Sequence, residues 1–436
     1  MSFYNRRKFL TTTAGAAGSL ALASALGGPA FGQDKTRIRH YWWGNPERDK
    51  RTLAVIDIFN GKNPTIEVVG ETVGFADYFP KLATQIAGGS MPDVIQMGYG
   101  VMFEYIANGS IVPLDDFVGK SLDISKIDQA ALDAGTVDGK LYAISIGANS
   151  HVAMYNTAAY AKAGIEPGKG FDPFGWTYDD VKRIGIEVSK ASEGKMAGTD
   201  DNTANYQNFS DWIGQNGVAM FDGDGNYAVP QELVEQYWAL WADIRAAGAT
   251  PPANASAGLV NPEMAKWGIV TGQSATYYGW SNQLVGAQAL VPDKLGAAMY
   301  PNTPKMIPGS IVQPSQFVCL TRDSKATEAA TSYMSAFVND LDMTAVLGLE
   351  RGIPSQTDVR NALLPKLSEA EATTVAFFDG IRGKTAVLPP PPPSGANEIE
   401  QTFQRIATGL LLNQDDIPNS AAQFLRQAAF IRKRAG

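Results

Sequence analysis

The chain of 436 residues has one cysteine, Cys319, and two histidines, His40 and His151. A single cysteine allows no internal disulfide, no Cys-Cys redox motif and, with two histidines, no Cys/His zinc site or iron–sulfur cluster. No metal site and no cofactor are therefore expected. Basic residues are also scarce: 36 Lys and Arg against 44 Asp and Glu give a net charge of −8. A nucleic-acid partner needs the opposite balance, gathered on one face. Neither a dinucleotide Gly fingerprint nor a phosphate-cradling Gly-Lys-Ser/Thr loop is present. Beyond the N-terminus no apolar run is long enough to span a bilayer. What the chain does have is 44% hydrophobic and 10% aromatic content, with eight Trp and sixteen Tyr. That is the make-up of a globular protein of two or three domains, each large enough to bury its own core.

Residues 1–32 read as an export signal: Arg6-Arg7-Lys8-Phe9-Leu10, an uncharged Ala/Gly/Ser-rich stretch from Thr11 to Leu26, and small residues at Ala30 and Gly32. The paired arginines resemble a twin-arginine signal, and an ordinary secretory signal is the alternative. Either route predicts a periplasmic protein. Removing the signal takes three basic residues with it, leaving a net charge of −11.

The mature chain alternates in pattern. A strand is expected over Arg37 to Trp43, a helix over Arg48 to Asn60, a strand over Thr65 to Val69, a helix over Tyr78 to Ala87 and a strand over Asp93 to Met97. This order predicts a parallel α/β sheet with ligand sites beyond the carboxyl ends of its strands. Trp42-Trp43-Gly44-Asn45 and Gly98-Tyr99-Gly100 lie at two such ends. Asp222-Gly223-Asp224-Gly225-Asn226 imitates a calcium loop, but Tyr227 stands where the loop needs Gly and Leu233 where it needs Glu, so a hairpin turn is expected.

An ordered set of segments carries a family resemblance. Phe59-Asn60 with Asn63-Pro64-Thr65-Ile66, Ala83 to Val94 through Gly88-Gly89-Ser90-Met91-Pro92, Asn108-Gly109-Ser110, Asp138-Gly139-Lys140, Ala163-Gly164-Ile165, Gly279-Trp280-Ser281-Asn282 and Gly352-Ile353-Pro354 follow one another along the chain. The set resembles the extracellular solute-binding proteins of the sugar-binding class, the maltose-binding-protein-like components of ABC importers. The resemblance implies a type II periplasmic binding protein fold, with two α/β lobes joined by a hinge of several strands and a ligand cleft between. It implies crossings at Tyr142 to Ser150, Ser310 to Phe317 and Gly352 to Ser355. The first lobe would hold residues 36–148 and 311–350, and the second 151–309 and 355–436. The proline run Pro389 to Pro393 is a stiff extended segment at a place where the family has a proline-containing loop, before a terminal pair of helices.

A sugar site needs flat apolar faces and dense planar hydrogen-bonding groups. The candidates are Trp42, Trp43, Tyr78, Tyr99, Asn149, His151, Tyr206, Trp280 and Asn282. By resemblance Trp280 is a stacking residue; the alternative is a core tryptophan. Strand alternation allows at most one of Trp42 and Trp43 to meet ligand. Arg351 is a candidate at the cleft rim, where its guanidinium could meet an acidic sugar, with a solvent-exposed helix-end arginine as the duller reading. The expected function is capture of a sugar or oligosaccharide for the permease of an inner-membrane ABC importer by a monomer that is no enzyme. A periplasmic glycoside-acting enzyme using an Asp/Glu pair is the alternative.

Overall fold

A computed structural model describes residues 35–435, so the reading of residues 1–32 as an export signal lies outside the described residues. The chain opens with β1 (Thr36–Trp43), α1 (Pro46–Lys62), β2 (Ile66–Val73), α2 (Phe75–Ala87), β3 (Val94–Met97) and α3 (Tyr99–Ala107). α1 starts two residues before its expected position because Pro46 fits the first helical turn, where no N–H partner is needed, and Asn45 accepts from the Arg48 N–H at 3.0 Å. It stops at Asn63, next to Pro64. α2 starts at Phe75, three residues early, and carries Pro80 in its interior.

β1 pairs in parallel with β2 over its whole length and with β3 at His40 and Tyr41. Their carboxyl ends, Trp43, Val73 and Met97, open onto the Gly44, Gly74 and Gly98 turns. The sheet is mixed, which corrects the expected all-parallel one: Phe317–Leu320 returns antiparallel to β3, and Ala143–Ser145 pairs antiparallel with it. A second sheet is built on the long strand Gly147–Asn156, which pairs antiparallel with Thr276–Trp280 and Leu295–Ala298.

The amino-terminal end of that long strand joins the sheets. Val312, Gln313 and Pro314 pair with Ser150, Asn149 and Ala148, and Ile353 and Pro354 pair with Ala148 and Gly147. Three stretches of chain are thus bonded side by side in one hinge between two lobes. Gly352 sits there with φ of 101°, and a Cβ at this position would lie 2.4 Å from the Ala148 carbonyl oxygen, so only glycine fits.

Each lobe has its own interior. Around the first sheet, Ile38, Trp42, Val55, Phe59 and Phe337 pack on one face, and Tyr41, Tyr78, Met97, Met102 and Phe317 on the other. The second lobe's largest cluster gathers Trp176, Phe209, Trp238, Trp241, Phe403 and Phe424 around the terminal helices Ala396–Leu411 and Ile417–Ala435. The helix Thr357–Leu363 is bonded to the first lobe: Arg360 pairs with Asp128 at 2.6 Å and the Thr357 N–H bonds to the Lys126 carbonyl. Phe221 and Tyr227 pair across a turn in which Asp222 accepts from the Asp224 and Asn226 N–H groups, which is the expected hairpin.

Candidate functional site

The seam between the lobes is where the strand ends meet. Asn45, in the turn after β1, comes within 3.1 Å of the place a Cβ on Gly286 would occupy, and Gly286 lies in the helix Gln283–Gln288 that follows Trp280. The carboxyl ends of β1 and of Thr276–Trp280 therefore border one seam.

On the first lobe, alternation along β1 decides the tryptophan pair. Ile38, His40 and Trp42 point to one face, Tyr41 and Trp43 to the other. Trp42 is 0% exposed, donates its indole N–H to Asp49 at 2.8 Å and lies so close to Gly70 that a Cβ there would be 2.7 Å from its ring. Trp42 is a core residue, which corrects its place among the ligand contacts. Trp43 is half-buried and meets Phe75, Tyr78 and Phe79 at ring distances of 4.9 to 5.9 Å. Tyr78 is corrected as well: it is 0% exposed, stacks on Tyr41 at 4.5 Å and donates to the Gln96 carbonyl at 2.7 Å. Burial pushes its phenol well above the ordinary value, so it stays a neutral donor. Tyr99 opens α3, buried edge-on against Phe103. The sequence did not point to Phe75, which is exposed, or to Phe79, yet their rings extend the surface begun by Trp43.

On the second lobe, Trp280 is half-buried, and its ring lies 4.2 Å from that of His151. His151 stacks on Tyr300 and shares a hydrogen bond of 2.8 Å with Asp211 through Nδ1. The second Asp211 oxygen accepts from the Ser310 hydroxyl at 2.6 Å, tying this cluster to the chain entering the hinge. Glu400 lies near His151 and accepts from Gln207 at 3.0 Å; burial holds its carboxyl above the usual value, opposed by that hydrogen bond. Tyr206 is half-buried against Phe403 and Phe209. Asp211, Ser310 and Glu400 escaped the sequence because their partners lie 60 or more residues away.

At the hinge, Asn149 donates to Asn282 at 2.7 Å, and Asn282 donates to the Glu350 carbonyl at 3.1 Å. The Glu350 carboxylate binds Arg48 through Nε at 2.9 Å with both side chains buried. Arg351 is 2% exposed and donates to Gln96 and Thr52. It lies inside the first lobe and not at a rim, so its candidacy for an acidic sugar is withdrawn; burial, aided by Arg48, lowers its pKa to about 9. Gln96 carries the one signal the sequence offered for this network, a polar residue in the otherwise apolar strand β3. Among the described residues no group of three or more His, Cys, Asp or Glu is placed to hold a metal ion, and no helix is long and apolar enough to cross a membrane.

Comparison with known proteins gives the family. The family model of bacterial extracellular solute-binding proteins matches residues 54–375. A family 1 extracellular solute-binding protein from Alicyclobacillus acidocaldarius is 27% identical, covers 91% of this chain and 99% of its own, and superposes with a TM-score of 0.65. A periplasmic oligogalacturonide binding protein from Yersinia enterocolitica, in complex with saturated digalacturonic acid, shares the fold at a TM-score of 0.82 with 22% identity over 92% of this chain and all of its own. Among curated relatives, the arabinooligosaccharide-binding protein of Bacillus subtilis is 26% identical over 211 residues, 48% of this chain and 47% of its own. A putative binding protein of Brucella abortus is 25% identical over 177 residues, 40% of this chain and 42% of its own. The chain thus spans between two-fifths and half of the length of the curated relatives it matches. The chain belongs to the bacterial extracellular solute-binding protein family.

Proposed function

From that membership we propose that the chain captures a sugar or oligosaccharide between its lobes, in the periplasm and as a monomer, and delivers it to the permease of an inner-membrane ABC importer. The observation that carries the reading is the pair of half-buried tryptophans, Trp43 and Trp280, at strand ends that border one seam beside a three-stranded hinge. Indole faces on two lobes suit the C–H faces of a sugar ring, and closure would bury it between them. Trp43, Trp280 and Tyr206, with the buried His151, Asn149 and Asn282 freed when the hinge opens, are the proposed contacts. Residues 36–148 with 311–366 form the first lobe in this proposal, and 151–309 with 367–435 the second. Residues 1–32 serve as the export signal. Relatives named for oligogalacturonide and arabinooligosaccharide binding support a carbohydrate ligand.

Ligand that binds only the native state raises the melting temperature by mass action. A thermal-shift panel of malto-oligosaccharides, arabino-oligosaccharides and digalacturonate should therefore give a rise of several degrees with at least one member, with the sugar recovered intact. No shift across the panel overturns the carbohydrate reading, and newly released reducing ends would support a glycoside-acting enzyme. Trp280→Ala should weaken binding of the active sugar roughly 30-fold, the cost of about 2 kcal/mol for one aromatic anchor, while leaving the unliganded melting temperature near the parent's. Unchanged affinity removes Trp280 from the site.

A further inference from the structure

The proline run has a structural role that the hinge does not share. Upstream of it, the Ala386 N–H donates to the Ser310 carbonyl at 2.8 Å, and Ala386 bridges to Ile311 beside the hinge. Leu388 then packs against the first-lobe cluster of Tyr99, Met102 and Phe317. Pro389 to Pro393 follow, and five consecutive prolines hold an extended course of about 3 Å per residue with little freedom to fold back.

At its far end the segment is fastened to the second lobe. Pro393 lies 3.3 Å from where a Cβ on Gly225 would stand, and Arg432 donates both to the Gly225 carbonyl and to that of Ser394. Gly395, with φ of 86°, opens the terminal helix Ala396–Leu411. Its N–H donates at 2.8 Å to Oε1 of Glu104, which belongs to α3 of the first lobe. Glu104, Asn108, Gly395, Glu398 and Gln401 line an open groove of about 680 Å³ where α3 and the terminal helix approach.

The geometry points to a latch: Glu104 is a positioning residue that holds the lobes together by accepting the Gly395 N–H, and the Ala386–Gly395 segment is the semi-rigid strap that delivers that N–H to it. The strap leaves the second lobe, touches the first at Leu388 and returns to the second, separate from the three hinge strands. Its stiffness matters because a flexible segment of the same length would let the lobes part with the strap still attached. With the proline run in place, opening must break the Glu104 contact or lift Leu388 from the first lobe. The carboxylate also meets the positive end of the helix dipole, which strengthens the contact while the lobes are closed.

The inference rests on the two-lobed fold and not on the carbohydrate reading, so it is tested without ligand. Spin labels on Ala83→Cys in α2 and Ala239→Cys in the second lobe, both exposed positions, report the inter-lobe distance by pulsed electron resonance, and the buried Cys319 stays unlabelled. In Glu104→Ala the distance distribution is expected to move outward, with the open population rising roughly tenfold or more, the effect of losing one charge-assisted hydrogen bond. Glu104→Gln keeps an acceptor oxygen but loses the charge, and is expected to fall between the parent and Glu104→Ala. Leu388→Ser, which loosens the strap while leaving the Glu104 side chain in place, is expected to move the distribution the same way. A folded Glu104→Ala protein whose distribution superimposes on the parent's overturns the latch.

Discussion

His40 shows how one buried side chain sets a pH response. It sits in β1 between Trp42, Tyr333 and Phe337, bonded through Nδ1 to the Tyr333 hydroxyl at 2.9 Å. Burial, and then the nearby Arg351 charge, hold its pKa well below the ordinary 6.5. The unfolded chain takes up a proton below about pH 6.5 that the native protein refuses, so native stability falls as pH drops through that value. Urea melts of His40→Gln should therefore lose less stability than the parent between about pH 6.5 and 5; equal acid slopes would remove His40 as the cause. The same face of β1 shows what a residue reading can reach. Alternation separated Trp42 from Trp43 in advance, but which of the two met the core depended on Phe337 and Tyr333, almost 300 residues later in the chain. Arg351 misled for a similar reason: its partners Gln96 and Thr52 come from distant segments.

Helices and strands were more legible than contacts, because their signals are local. Asn45-Pro46 and Asn63-Pro64 bracket α1, and Thr177 with Asp180 forms a capping box at the start of the helix Tyr178–Ala191. Thr177→Ala should cost about 1 kcal/mol in urea unfolding, with the fold unchanged. The antiparallel strand Phe317–Leu320 could not be read from the first hundred residues, since it arrives more than 200 residues after the β3 it pairs with. The ion pair between α1 and the segment before Gly352 is a second long-range feature. Glu350→Ala would leave the Arg48 guanidinium buried without its counter-charge, at a cost of about 3 kcal/mol. A melting temperature within a degree of the parent's would show that water or another group replaces the carboxylate.

For the whole molecule, the order of short motifs was enough to indicate two lobes and a hinge of several strands, and the pairing of 147–156 with 312–314 and 353–354 gives that hinge its form. The strap was not legible, because five prolines announce stiffness but not the positions of Leu388, Gly225 and Glu104 around them. Ligand capture by closure predicts a change of shape. The direct measurement is small-angle X-ray scattering of the mature protein with and without the sugar that raises its melting temperature. The account predicts a smaller radius of gyration on binding, with the sugar recovered unaltered. An unchanged radius at saturating sugar, or sugar recovered as hydrolysis products, would contradict it.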